Sequence, residues 1–143
     1  MKIPADGLWA IEDHARRGYP DEVCGVLVGQ KAAAVEVEAV IPVANREREL
    51  PRVRYQIAPE DLLRIQRESR ESGRDIVGFY HSHPDHPARP SETDRRIAAE
   101  GLSDGVAHLV VSVDGAGGTV PSAWVFRDAT QAFEEEPLCR SRS

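Results

Sequence analysis

The stretch "GFYHSHPDHPARPSETDRR" (Gly78–Arg96) decides how this chain is read. It continues the apolar run "DIV" (75–77) and then places His81, Ser82 and His83 in succession before Pro84. Successive side chains on a strand point to opposite faces, so His81 and His83 share one face and Ser82 points away. The loop that follows holds Pro84, Pro87 and Pro90, three prolines in seven residues, and cannot extend the strand. "SETD" (91–94) has the form of a capping box, with Ser91 as N-cap and an acid three residues on. The stretch therefore predicts a strand over 75–83, a loop over 84–90, and a helix from Ser91 to about Gly101.

This order has a chemical consequence. Two imidazoles about 7 Å apart along one strand face converge on a single ion if the strand end bends. Gly78 and Pro84 bracket that end and permit a bend. A loop of this length folds the next helix back over the strand end, which brings Asp94 from its first turn. Two histidines, a carboxylate and an open fourth position are the ligand pattern of a catalytic zinc, one ion per chain. Each residue also has a plainer reading. His81 and His83 suit a solvated strand end, and "SETD" suits a helix cap that binds nothing. The capping and ligand readings are compatible, since Ser91 can cap while Asp94 turns toward the metal. His86, in the proline-bracketed loop, reads as a bystander. His14 reads as part of an exposed helix face, and His108 as the beginning of a strand.

Outward from this stretch, residues 4–18 carry Leu8, Ile11 and Ala15 at helical spacing and stop at Gly18. "GVLVG" (25–29) reads as a short apolar strand, and residues 32–44 contain the alternating "VEVEAV" of a half-buried one. A hairpin at Gly29-Gln30-Lys31 joins them. After a charged, turn-like segment, "VRYQI" (53–57) reads as a brief strand. Pro59 opens a helix with Leu62, Leu63 and Ile65 on its apolar face, closed by Gly73. "VAHLVVSV" (106–113) and "SAWVFR" (122–127) flank the glycine turn "DGAGG", and a last strand lies near 130–135. The expected fold class is α/β (α+β), a single-domain mixed β-sheet with flanking helices. The domain covers residues 1–136, and residues 137–143 form a frayed tail.

Composition narrows the function. At 143 residues the length suits one domain. With 41% apolar and 29% charged residues the chain reads as an ordinary globular protein. A net charge of −6 argues against nonspecific nucleic-acid binding, which needs a basic face. Sixteen of the eighteen basic residues are arginine, a skew from which no function follows. Cys24 and Cys139 make no C-x-x-C pair and neither looks like a nucleophile, so a reducing compartment is expected. The N-terminus lacks the apolar core of a signal peptide, and no run approaches the ~20 apolar residues of a membrane span. The expected location is cytoplasmic, with no membrane partner.

The pattern "H-S-H-P-x6-S-x-x-D", taken with the upstream acid in "PDEVCGVLVG", resembles the JAMM (MPN-plus) metalloprotease family. The matching residues are Glu22, His81, Ser82, His83, Pro84, Ser91 and Asp94, and the likeness extends through "AHLVVSV" and "SAWVFR". It is closest to the short bacterial branch, which keeps the bare domain. The resemblance implies a cytidine-deaminase-like fold and zinc (Zn2+) held by His81, His83 and Asp94. It implies Glu22 as the general base that hydrogen-bonds the zinc water, with Asp21 its rival by proximity, and Ser91 as donor to the oxyanion. It also implies a substrate, a ubiquitin-like sulfur-carrier protein with a C-terminal Gly-Gly, cut after that end. An isopeptide bond in another small-protein conjugate is the alternative. Rival classes are a noncatalytic MPN-type scaffold and a mononuclear iron oxygenase with the same two-His-one-carboxylate set. A zinc deaminase needs a P-C-x-x-C element that is missing here.

Overall fold

The strand expected over 75–83 forms one residue longer, as β4 (Asp75–Pro84), in a computed structural model that describes residues 1–101 and 104–142. β4 pairs antiparallel with β2 (Cys24–Lys31) on one side and parallel with β5 (Ala107–Val113) on the other. Outside β2 lie β3 (Val35–Val43), β1 (Lys2–Pro4) and β8 (Cys139–Ser141). Outside β5 lie β6 (Thr119–Arg127) and β7 (Ala132–Glu136). Among the described residues this is one mixed sheet of eight strands, in the order β7-β6-β5-β4-β2-β3-β1-β8.

Helices cover both faces, which is why the central strands read as continuous apolar runs. α1 (Ala5–Gly18) lays Leu8, Ile11 and Ala15 on one face, against Leu27, Tyr80, Leu109 and Val111. α2 (Pro59–Glu71) covers the other face, where Ile65 meets Cys24, Val26 and Val28. Each fully buried Leu or Ile contributes about 1.5–3 kcal/mol, so these two layers hold the helices against the sheet. α3 (Glu92–Glu100) sits on the α2 side, where its Ile97 and Ala98 share a hollow with Leu62 and Phe79. No helix of the described residues is long and apolar enough to cross a membrane.

Several expectations are corrected. The hairpin exists, but its turn is at residues 32–34, because β2 continues through Gly29 with a register shift and pairs Lys31 with Val35. A Cβ on Gly29 would lie 1.9 Å from the Glu36 carbonyl oxygen, so only glycine passes this bulge. "VRYQI" is not a strand. Its backbone groups bond locally instead: the Asn45 side chain accepts from Gln56 N and donates to Arg54 O, both at 3.0 Å, and Gln56 O accepts from Arg46 N at 2.8 Å. Leu63 is 60% exposed, since Leu62 and Ile65 share a face that Leu63, one residue on, does not. Gly78 has a second role: a Cβ there would come within 2.3 Å of the Ala107 carbonyl oxygen, so it allows close approach of β5. His14 is half-buried and hydrogen-bonded through Nδ1 to the Tyr80 hydroxyl at 2.7 Å. The tail is not left unpaired. Lys2, Ile3 and Pro4 pair with Cys139, Arg140 and Ser141, and the Met1 ammonium donates to Pro137 O at 2.9 Å.

Candidate active site

His81 and His83 emerge on the α2 side of β4, and their Nε2 atoms lie 3.0 Å apart. Asp94 Oδ2 lies 3.1 Å from the first and 3.2 Å from the second. The carboxylate reaches them because α3 starts where the sequence puts its cap. Ser91 Oγ accepts from Asp94 N at 3.0 Å, and Asp94 Oδ2 accepts from Ser91 N at 2.8 Å. One oxygen therefore closes the capping box and faces both imidazoles.

These three atoms fit a metal ion by their chemistry as well as their spacing. His83 Nδ1 is 2.9 Å from the Pro87 carbonyl, which can only accept, so Nδ1 carries the proton and Nε2 presents a lone pair. Asp94 Oδ2 is also an acceptor. Two lone pairs and the His81 nitrogen thus converge on one point, where a cation satisfies all three. Ligands at 2.0–2.2 Å from a tetrahedral zinc stand roughly 3.3–3.5 Å from one another, within a few tenths of the distances found. Burial opposes an ionised Asp94, but His81 beside it and bonds from His81, His83 and Ser91 hold its carboxyl well below the usual range. Burial also lowers the His83 pKa, yet the bonds to Asp94 and Pro87 leave it raised.

Glu22 stands at the start of β2 and is 5% exposed, whereas its rival Asp21 is exposed. Three bonds fix its backbone and that of its neighbour. Glu22 N donates to Pro51 O at 2.7 Å, Asn45 Nδ2 donates to Glu22 O at 3.0 Å, and Val23 N donates to Ser82 Oγ at 2.8 Å. Ser82, on the face away from the histidines, thereby ties the Glu22 segment to the strand that carries them. Glu22 Oε1 is buried with no hydrogen-bond partner among the described residues. Burial, aided by the Asp94 charge and opposed by His83, pushes its carboxyl up to about 8.

Two recesses meet at this cluster. The first, of about 430 Å³, is lined by Glu22, His83 and Ser91 together with Arg54, His86 and Arg89. The second, of about 780 Å³, is lined by Asp94 and by apolar Tyr55, Ile57, Leu62, Phe79 and Ile97. Arg54 and Thr93 border both. Cys24 is excluded as a nucleophile, since burial pushes its thiol up to about 12.

The roles of two residues of this region, and the burial of a third, escaped the sequence reading. Tyr55 stacks on His81, with ring centroids 4.6 Å apart and planes 23° off parallel. Asn45 joins Glu22 to the segment that carries Tyr55. His108 lies buried between Phe79 and Phe133 and lines the second recess. The signal for Asn45 was its place at the end of an apolar strand, where an Asx turn is common. Nothing local marks the other two.

Known proteins resemble the chain throughout. A family model described as prokaryotic homologs of the JAB domain matches residues 4–131. A desampylase of Haloferax volcanii is 42% identical over 119 residues, 80% of this chain and 82% of its own length. A CysO-cysteine peptidase of Mycobacterium tuberculosis is 38% identical over 100 residues, 70% of this chain and 66% of its own length. A probable TtuB-protein conjugate cleaving protease of Thermus thermophilus is 34% identical over 98 residues, 68% and 63% of the two chains. The solution structure of a Salinibacter ruber protein, 35% identical, superposes with a TM-score of 0.74 over 99% of this chain and 92% of its own. A JAB1/MPN domain protein from Archaeoglobus fulgidus, 22% identical, shares the fold over 99% of this chain and 100% of its own, with a TM-score of 0.62.

Proposed function

The chain belongs to the family of prokaryotic homologs of the JAB domain, and we propose that it is a zinc-dependent peptidase cutting after the C-terminal Gly-Gly of a ubiquitin-like sulfur-carrier protein. The observation that carries this reading is the convergence of His81 Nε2, His83 Nε2 and Asp94 Oδ2 within 3.0–3.2 Å, beside a buried Glu22 carboxyl with no partner of its own. The relatives' names support the kind of substrate: one cleaves TtuB-protein conjugates and another is a CysO-cysteine peptidase.

Zinc held by His81, His83 and Asp94 would supply Lewis acidity, acidifying a water and polarising the carbonyl to be cut. The chain's own residues do the rest. Glu22 takes the proton of the attacking water and passes it to the leaving amine. Its burial beside the cluster, with Oε1 left without a partner among the described residues, suits that traffic. Ser91 Oγ accepts from Asp94 N, which leaves its own proton to donate to the carbonyl oxygen as negative charge builds there. A donor of this kind is worth roughly 10²–10³ in rate. The reaction consumes one water: the C–N bond breaks, the glycine carbonyl becomes a carboxylate, and both water protons end on the amine, which leaves as an ammonium. A terminal glycine suits the site because no Cβ stands between its carbonyl and the ligand cluster.

Glu22→Gln tests the assignment, since it removes a base and no ligand. Zinc content should stay at the wild-type level while hydrolysis of a Gly-Gly-extended carrier falls by roughly 10²–10⁴. A zinc-loaded variant with wild-type rate would move the base elsewhere, to Asp21 first. Mass spectrometry of the digest should show the carrier ending at Gly-Gly as a free acid. Replacing the last glycine with alanine should lower kcat/KM sharply. Indifference to it, or cutting of lysine-linked conjugates alone, would replace the substrate class and keep the zinc chemistry.

A further inference from the structure

We propose that Arg54 and Arg89 bind the α-carboxylate of the departing amino acid or short peptide, so that the site releases a carboxy-terminal extension and not a lysine side chain. The inference rests on the peptidase reading above. It begins from direction. Glu22 hands a proton to the leaving amine, so the amine departs on the side of Glu22. That side is the recess lined by Glu22, His83 and Ser91, where Arg54, Arg89 and His86 stand. The second recess, which Arg54 also borders and where Ile57 and Phe79 stand with Glu47, Arg96 and Glu100, is left to the carrier tail.

In an amino acid the carboxyl carbon is two bonds from the nitrogen, which keeps its oxygens within about 4 Å of the breaking bond. They cannot be met anywhere but in the first recess. Arg54 and Arg89 offer a carboxylate there a cationic partner. Both side chains are exposed, and among the described residues neither pairs with a carboxylate. The nearby acid Glu47 is occupied, accepting from Glu49 N and Leu50 N at 3.1 and 3.3 Å. The two arginines also stand on fixed backbone. Arg54 N donates to Leu50 O at 3.0 Å and Arg54 O accepts from Asn45 Nδ2, while Arg89 N donates to Pro87 O at 2.8 Å. The guanidinium fork matches a carboxylate in two parallel bonds. A lysine leaving group offers only methylenes at that distance, and gives the arginines nothing to bind.

The test uses the zinc-loaded enzyme and one carrier ending in Gly-Gly-Ala, made as the free acid and as the C-terminal carboxamide. The wild type should cut the acid with a kcat/KM roughly 10-fold or more above the carboxamide, the scale of hydrogen bonds to a charged group. Arg54→Gln, Arg89→Gln and the double variant should lose rate on the acid and close that gap, with zinc content unchanged. Equal wild-type rates on the two forms would overturn the proposal, as would variants that lower both rates by the same factor. Cutting of a lysine-linked conjugate with neither extension cut would overturn it together with the Gly-Gly extension substrate. If the zinc-loaded enzyme cuts none of the three, the peptidase reading fails and this inference falls with it.

Discussion

The two faces of β4 near its C-terminal end treat polar groups in opposite ways. On the α1 side every polar tip is met: the Tyr80 hydroxyl bonds His14 Nδ1 at 2.7 Å, and Ser82 Oγ accepts from Val23 N at 2.8 Å. On the α2 side, His81 Nδ1, Glu22 Oε1 and His108 Nε2 are buried with no partner among the described residues. Each such group costs about 1–3 kcal/mol. A sheet able to satisfy one face could satisfy the other, so the unmet groups mark where the fold gives up stability. They surround the place where, among the described residues, three possible ligand atoms converge. The α1 face secures the strand, and the α2 face holds groups that wait for something outside the chain.

The largest effect that could break this contrast is on the metal. His81→Ala removes one of three converging ligands, and zinc after purification should fall from about one ion per chain to a small fraction of that. Elemental analysis reads the result directly. A His81→Ala protein with full zinc would leave the unmet groups without the explanation given to them.

Next in size is an effect on stability, in metal-free protein. The folded Glu22 carboxyl, pushed up to about 8 from 4.5, favours its neutral form. For a group with a raised folded pKa, stability is fully present below the unfolded value and drains away as pH climbs toward the folded one. Ionising Glu22 should therefore weaken the metal-free fold between pH 4.5 and 8, and Glu22→Gln should not share that loss. The variant should match wild type near pH 4 and exceed it at pH 8 by on the order of 3 kcal/mol. Urea melts at the two pH values measure the difference. A gap that stays the same at both would mean that Glu22 is not the strained acid described here.

The same contrast explains what the sequence could convey. The ligand set was legible because two short-range rules place it: alternation on a strand puts His81 and His83 on one face, and the capping box puts Asp94 in the first turn of α3. The apolar layers of β2, β4 and β5 were legible for the same reason. What failed lay in long-range pairing. β1 and β8 are three residues each, too short to show a period, and they pair Lys2, Ile3 and Pro4 with Cys139, Arg140 and Ser141 from the far end of the sequence. The segment 53–57 has the composition of a strand, but the Asn45 side chain, Arg46 N and Leu50 O take its backbone bonds. Tyr55 and the burial of Glu22 depend on that same segment folding back, so neither the stack on His81 nor the raised acid could be read locally. Glu22 was picked out by resemblance alone, since a "PDE" turn on its own reads as a surface acid.

The smallest expected effect concerns His108, an unmet group that no step of the proposed reaction uses. Burial, with a smaller contribution from His81, pushes its imidazole down to about 4, and its Nε2 has no partner among the described residues. For a base with a depressed folded pKa, stability is present above the unfolded value of 6.5 and is lost as pH falls toward the folded value. In metal-free protein this predicts a loss of about 2 kcal/mol at pH 5 from His108 alone. His108→Leu should remove it, because the ring packs between Phe79 and Phe133, with centroids 6.1 and 5.0 Å away, and an apolar side chain of similar size suits that site. Chelated wild type and variant, melted in parallel from pH 7 to pH 5, should diverge only as the pH drops, with the variant the more stable at pH 5. Parallel curves would show that His108 finds a proton acceptor in solution, and that Glu22 and His81 alone make the α2 face the costly one.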